Sequence, residues 1–226
     1  MSTLRGVALR LHGPLQAWGG PVVGDDRPTL SFPTRSGVLG IIAACMGIPR
    51  RDRRLFELAT GTRVHVRVDC PGTPIVDDQT IQDNPNASAT RQTIQSKRTY
   101  LCDASFTAVV VLGDARTMEA VTAALRTPMF GAFLGRRACV PSSPLLLAAE
   151  VSGTDALGLF ANLSLGPVEL LDRIGTSNSV HYYLDLEDHP RALRKLRVRD
   201  DLVGPLSRQW RERTLVHVTT QPVINP

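Results

Sequence analysis

Lysine is nearly absent from this chain. Only Lys97 and Lys195 break a set of 26 cationic side chains that is otherwise all arginine. Arginine suits bidentate phosphate contact and stacking on bases, but a GC-rich genome gives the same preference, so the bias carries no weight alone. Cysteine is sparse too. Residues 45, 70, 102 and 139 are widely spaced, with no CxxC and no clustered histidines, which speaks against zinc ligation and against a secreted disulfide framework. Each lies in or beside an apolar segment, where buried free thiols are expected. No run of about 18 apolar residues exists, so no membrane span is expected. The start of the chain puts Arg5 inside a strand-like run and lacks the layout of a signal peptide. The expected compartment is the cytoplasm, and no metal or cofactor is called for.

What is present is a soluble composition, 42% hydrophobic over 226 residues, enough for one large domain or two small ones. The net charge of +5 is unevenly placed. Residues 1–100 hold 13 Lys+Arg against 8 Asp+Glu, and residues 101–226 hold 13 against 13, so the whole excess sits in the first half.

Residues 6–12 alternate Val7, Leu9 and Leu11 with Ala8 and Arg10, the period of a half-buried strand. Eight glycines and prolines among residues 13–33 then force a loop, on which Gln16, Trp18 and Gly19 lie. Residues 34–47 read as a buried helix stopped by Gly47 and Pro49. Residues 50–59 form a short second helix that opens with Arg50, Arg51, Arg53 and Arg54, a second electrostatic surface or simply a solvated face. Residues 63–69 alternate valines with Arg63, His65 and Arg67, a strand expected to show a basic outer face. Residues 105–112 read as a central strand, 116–126 as an amphipathic helix and 145–151 as a further strand. Strand, helix, strand, strand, helix, strand is the ferredoxin-like βαββαβ plan, an α+β fold. Residues 77–98, poor in aliphatics, are an insertion: a mobile loop, or a ribbon built around Ile81 and Ile94 with Asn84-Pro85-Asn86 at its tip. In the last third, residues 163–174, 179–186 and 214–219 are candidate strands, and 191–213 is polar and arginine-rich. The expected division is a first domain over 1–150 and an accessory region over 151–226.

Thr34-Arg35-Ser36 opens the first helix. Two hydroxyls, one guanidinium and the unpaired N–H groups of a helix start can hold an anion, and for a basic protein the candidate is a nucleic-acid phosphate; a plain N-cap is the alternative. Trp18 can stack a splayed base or anchor the core. Lys97, Arg98 and Tyr100 form a basic–aromatic group, in which alternation puts Arg98 and Tyr100 on one strand face to hold a phosphate and a base, or else form a charged strand end. Arg136 and Arg137 follow a glycine-rich turn ending at Gly135. Metal-free RNA cleavage would need a base, an acid and a charge stabiliser. None of His12, His65, His181, His189 and His217 stands next to a lysine in sequence, and His12, at the end of the first strand, is the least unfavourable candidate.

The segments 9–19, 33–40, 100–107 and 133–139 together resemble the CasD-type subunits of the subtype I-E CRISPR Cascade complex, in the family's order and over about a fifth of the chain; beyond roughly residue 150 the likeness is weak. The resemblance implies an RRM-like, RAMP-superfamily fold with a β-hairpin thumb at about 77–98 and a small C-terminal β-rich region. It implies a non-catalytic RNA-binding subunit that caps the 5′ handle of the crRNA. Its neighbours would be the Cascade backbone subunit and the large PAM-reading subunit, with target DNA reached only indirectly and no membrane involved. The glycine-rich loop at Gly135, Arg136 and Arg137 would let RNA approach the backbone closely. The alternatives are a metal-independent endoribonuclease processing CRISPR repeat RNA and a general single-strand RNA-binding module. If Arg35 binds phosphate, Arg35→Ala should weaken RNA binding and leave the fold intact.

Overall fold

Residues 3–22, 24–82, 93–166, 179–205 and 209–221 are described by the computed structural model. In chain order they form β1 (Leu4–His12), β2 (Leu15–Gln16), α1 (Arg35–Cys45), α2 (Arg53–Ala59), β3 (Arg63–Cys70), β4 (Thr73–Gln82), β5 (Thr93–Cys102), β6 (Ser105–Val111), α3 (Ala115–Arg126), β7 (Leu146–Gly153), a 3-10 turn (Gly158–Phe160), β8 (Val180–Leu184), β9 (Ala192–Leu202) and β10 (Trp210–Thr220). Among these residues no helix is long and apolar enough to cross a membrane.

The main sheet has seven strands in the order β7-β1-β6-β3-β8-β10-β9, and every pairing in it is antiparallel. Without the insertions, β1, α1, β3, β6, α3 and β7 follow the βαββαβ order, and their strands lie fourth-first-third-second. The period-2 pattern explains why two cores exist. Val7, Leu9 and Leu11 of β1 and Phe106, Ala108 and Val110 of β6 point to the helix side, while Ala8 and Val109 point to a smaller cluster behind the sheet with Leu159 and Phe160. α1 starts at Thr34, whose Oγ1 accepts from Gly37 N at 3.2 Å. It stops at Gly47 in the left-handed region. α3 is capped by Asp114 and buries Met118, Val121 and Leu125 against the sheet.

β3 departs from expectation. Its outer face is not open: His65 and Arg67 are buried, Arg67 to 2% exposure. β3 lies inside the sheet, beside β8, and the segment around the 3-10 turn covers its second face. The arginine is satisfied there by Asp69 at 2.6 Å and by the carbonyls of Leu163 and Ser164 at 2.9 and 2.6 Å. Burial pushes the Asp69 carboxyl up, against the pull of Arg67 and the Thr107 hydroxyl.

The insertion is a ribbon. β4 and β5 pair from Thr73↔Cys102 to Gln82↔Thr93, so it begins and ends four residues outside the expected 77–98, and β2 joins it through Leu15↔Cys102 and Gln16↔Leu101. The register sets Asp77 opposite Arg98 and Asp78 opposite Lys97, pairs of opposite charge that favour this alignment. The expected tip, 84–86, lies outside the described residues. The C-terminal strands β8, β10 and β9 continue the main sheet rather than forming a separate layer, and position 150 falls within β7. Residues 163–166 are not a strand, and 167–178 lie outside the described residues. The arginine-rich stretch 191–213 contains β9 and the start of β10, in which Leu196, Val198, Leu202 and Leu215 face inward between outward cations.

Candidate nucleic-acid interface

β9 delivers two consecutive aspartates to the start of α1, and they decide the chemistry there. The Arg35 backbone N–H donates to Asp200 Oδ2 at 2.7 Å. Its guanidinium pairs with Asp201 and donates to the Ala59 and Thr62 carbonyls, the latter at 2.9 Å, with Asp185 3.8 Å away. Arg213 of β10 joins the group, 2.6 Å from Asp200 and 2.8 Å from Asp185. Burial raises the Asp201 carboxyl, but hydrogen bonds and charge from Arg211 and Arg35 outweigh it and hold the group below its ordinary range. Burial likewise disfavours the charged Arg213, yet Asp200 and Asp185 hold its pKa above the ordinary value. The anion at this helix start is therefore the chain's own carboxylate, and Arg35 is a buried structural cation rather than an open phosphate ligand. Thr34 is occupied as the N-cap; Ser36, half-buried and 3.3 Å from the Thr34 hydroxyl, still faces outward.

Trp18 is also corrected. It is 1% exposed, its Nε1–H donates to Gln16 Oε1 at 3.0 Å, and it meets Phe106 edge to face. Gln16 is fully buried and donates to the Leu11 and Ala104 carbonyls at 3.1 and 2.7 Å. A buried amide must spend its donors this way, so both residues anchor the loop and neither presents a face to a base.

Above this floor opens a cleft of about 720 Å³. Its lining takes Trp18, Gly19, Thr34, Arg35, Ser36 and Gly135 from the expected set, the buried Trp18, Thr34 and Arg35 as its floor, together with Arg50, Phe130, Gly131 and Trp210. Gly19 and Gly131 have open space where a Cβ would be. Gly135 differs: at φ +94°, its Cβ would stand 1.5 Å from the Ala17 carbonyl oxygen. This glycine is required by contact between two loops of the chain, which also share the Ala17 N to Leu134 O bond at 3.0 Å. Phe130 is 55% exposed, held at the lip by its N–H to the Ala44 carbonyl at the end of α1. The sequence signal for it was an apolar pair, Met129-Phe130, beyond the end of α3 and before a glycine. Of the arginine cluster, Arg53 pairs with Glu57 and Arg54 with Asp52, while Arg50 lines the cleft.

A second group lies at the base of the ribbon. Tyr100 is buried beneath Arg136, whose guanidinium carbon is 4.4 Å from the ring centroid, so that ring face is already taken. Arg136 also donates to the Thr99 carbonyl at 2.9 Å and to the Arg27 carbonyl. Residue 27 is stitched to the ribbon, its N–H to Lys97 O at 2.8 Å and its carbonyl accepting from Thr99 at 3.1 Å. Tyr100 and Arg136 thus form the joint between ribbon and glycine loop. Lys97, Arg137 and Arg27 are exposed around it and Arg98 is half-buried; Arg27 was missed because it sits alone among turn residues. Two of the histidines stack on each other and the others stand apart. His12 Nδ1 lies 3.2 Å from the Ala104 carbonyl. His65 is buried, accepts from Asp185 N–H at 3.2 Å and is pushed down to about 4 mainly by desolvation. His181 and His217 stack 3.0 Å apart, nitrogen to nitrogen.

Comparison with known proteins adds to this geometry. The family model described as CRISPR-associated protein (Cas_Cas5) matches residues 6–213, a span that includes the cleft, the ribbon base and β9. The chain belongs to this CRISPR-associated Cas5 family. Among curated relatives, the CRISPR system Cascade subunit CasD of Escherichia coli (strain K12) is 38% identical over 155 residues, 62% of this chain and 68% of the relative. Among solved structures, a chain of a CRISPR RNA-guided surveillance complex superposes with a TM-score of 0.72 at 31% identity, covering 96% of this chain and 90% of that one. The crystal structure of a Cas protein gives 0.64 at 27% identity, with 97% and 95% covered. The mixed α+β architecture of mostly antiparallel strands is therefore the architecture of its Cas relatives.

Proposed function

We propose that this Cas5-family chain is a subunit of a CRISPR Cascade complex that binds and caps the 5′ handle of the mature crRNA without cutting it. The observation that carries this is the cleft at the start of α1, where open glycines, an exposed aromatic and the Ser36 hydroxyl meet beside the exposed Arg50. Gly19 and Gly131 let a sugar–phosphate chain lie against backbone. Phe130 supplies a stacking face for a splayed base, Ser36 a hydroxyl donor, and Arg50 a phosphate contact. Lys97, Arg98, Arg137 and Arg27 extend the positive track to the ribbon base. Gln16, Trp18, Thr34, Arg35, Tyr100, Gly135 and Arg136 build the frame that holds these groups. The ribbon of β4 and β5 would meet the Cascade backbone subunit, and the large PAM-reading subunit would complete the assembly, with target DNA reached only through it. Support comes from the likeness to CasD, which is named as a Cascade subunit, and to a chain from an RNA-guided complex.

The test is Phe130→Ala in the full chain. Stacking by one aromatic is worth about 1–3 kcal/mol, so handle affinity should fall about five- to 150-fold while unfolding is unchanged. Wild-type affinity in the folded variant would remove Phe130 from the site.

A further inference from the structure

The main sheet ends on two strands, and these edges differ in charge. β7 carries one charged side chain, Glu150, paired with Arg5 at 2.8 Å. β9 carries Arg194, Lys195, Arg197 and Arg199, and the exposed Arg191 precedes it. Charge on an edge strand guards against edge-to-edge pairing, but β7 shows that this fold manages with one ion pair. The surplus on β9 needs another cause.

Alternation sorts these cations. Leu196 and Val198 face the helix side, packed with Leu215, where Asp200 and Leu202 border the cleft. Lys195, Arg197 and Arg199 therefore project from the opposite face, with Lys195 standing across from Val216 of the rear cluster. Arg197 is 83% exposed in its side chain. Two acids are nearby: Asp188 is 3.2 Å from Lys195 and Glu212 is 4.0 Å from Arg197. Both pairs are solvated, where such contacts are worth about 0–1 kcal/mol. On this face three cations stand against those two acids, Glu212 also lying directly across from Arg199, for a net of about +1. The exposed Arg191 and Arg194 add to the edge as a whole, and Asp200 and Asp201 of the same strand are taken up by Arg35, Arg211 and Arg213. Successive cations of the row stand about 6.7 Å apart, a step close to that between phosphates of an extended single strand. Neither β9 nor the facing residues 212–216 hold an aromatic side chain, so the row offers charge and no base-stacking face.

We propose that the outer face of β9 is a second nucleic-acid contact surface, which holds the phosphodiester backbone of a single strand without reading its sequence, on the side of the sheet opposite the cleft. Arg197, more exposed than Lys195, takes the central phosphate, flanked by Lys195 and Arg199.

The experiment is fluorescence anisotropy of labelled oligo(U) and oligo(dT) on the full chain with unlabelled handle RNA present in excess, read across a salt series. Lys195→Gln/Arg197→Gln/Arg199→Gln should lower affinity at least ten-fold and reduce the salt slope by about 2, and Arg197→Gln alone by about 0.7. Arg197→Gln removes no buried contact, so its result stands even if the triple variant aggregates. Equal losses for both oligonucleotides, or a preference for one, support the surface and name its strand as either nucleic acid, RNA or DNA. Wild-type affinity and slope in folded variants would overturn it. So would polyglutamate bound by the wild type as tightly as the oligonucleotides and lost in the same variants, since the row would then be a protein-docking edge. If the handle fails to occupy the cleft but the row variants still lose binding, the cleft function fails and this surface stands.

Discussion

Arg35→Ala separates the buried network from a phosphate site. The guanidinium is 9% exposed in its side chain and touches Asp201, the carbonyls of Ala59 and Thr62, and, more distantly, Asp185. Removing it leaves Asp201 with only the more exposed Arg211, strips the Thr62 carbonyl of the guanidinium and leaves the Ala59 carbonyl only the Thr62 N–H at 3.3 Å. Breaking a buried ion pair by deleting one partner costs about 3–5 kcal/mol, a large share of the 5–15 kcal/mol that holds a typical domain together. For a chain of this size each kcal/mol lowers Tm by about 2–4 °C, so the expected drop is about 6–20 °C. Circular dichroism melts of wild type and variant supply the measurement, with handle affinity taken well below both transitions. Arg35→Ala should melt early and, where folded, bind the handle within about two-fold of wild type. Adding Asp201→Asn should recover little of the loss, because the Thr62 carbonyl still lacks the guanidinium. A variant with unchanged Tm and a ten-fold loss of RNA affinity would refute the structural role and return Arg35 to the binding site.

His65 sets a pH dependence. Its pKa is about 4 in the fold against an ordinary 6.5, so the unfolded chain binds the extra proton between those values and stability falls as pH drops through that window. The difference amounts to about 3 kcal/mol; urea unfolding at pH 7 and pH 4.5 should show most of it, and His65→Gln should flatten the slope. His217, lowered mainly by desolvation and then by His181, acts in the same direction. Gly135→Ala puts a methyl into the Ala17 carbonyl and should cost more than about 2 kcal/mol in chemical unfolding. Gly131→Ala, with open space around it, should leave stability within about 0.5 kcal/mol and lower handle affinity; a stable Gly135→Ala would mean that the two loops do not touch.

Most strands and helices of the first 150 residues were legible from local pattern: Val7, Leu9 and Leu11 alternate, residues 105–112 are nearly all apolar, and the residues after Thr34 and Asp114 read as helices. By contrast, β2 lies in a stretch that reads as loop, and the ribbon is only one of two readings of its segment. β9 was not, because Arg194, Lys195, Arg197 and Arg199 crowd the positions between Leu196, Val198 and Leu202, and a local window sees only charge. The buried state of Arg67 and His65 was hidden for another reason: Arg67 is covered by residues about 95 positions away in the chain, and His65 meets Asp185, 120 positions away. The same holds at the site. Thr34-Arg35-Ser36 has the residue types of an anion site, and it is one, but the anion is Asp200, supplied by a strand that the period did not reveal. Trp18 and Gln16 satisfy each other two residues apart, a pairing no spacing rule announces. Phe130 and Arg50 reached the cleft because the end of α1 is tied to the Met129-Phe130 turn, a contact of tertiary origin. Gly19 and Ser36, singled out in the sequence, do line this cleft.

The most direct measurement is a gel of the purified chain in EDTA with end-labelled mature handle RNA and, separately, precursor repeat RNA. A handle that is retarded and intact, with the precursor uncut and retardation weakened by Phe130→Ala, is the predicted result. A discrete cut releasing a short 5′ handle, or a handle that runs free at micromolar protein, would contradict the capping function.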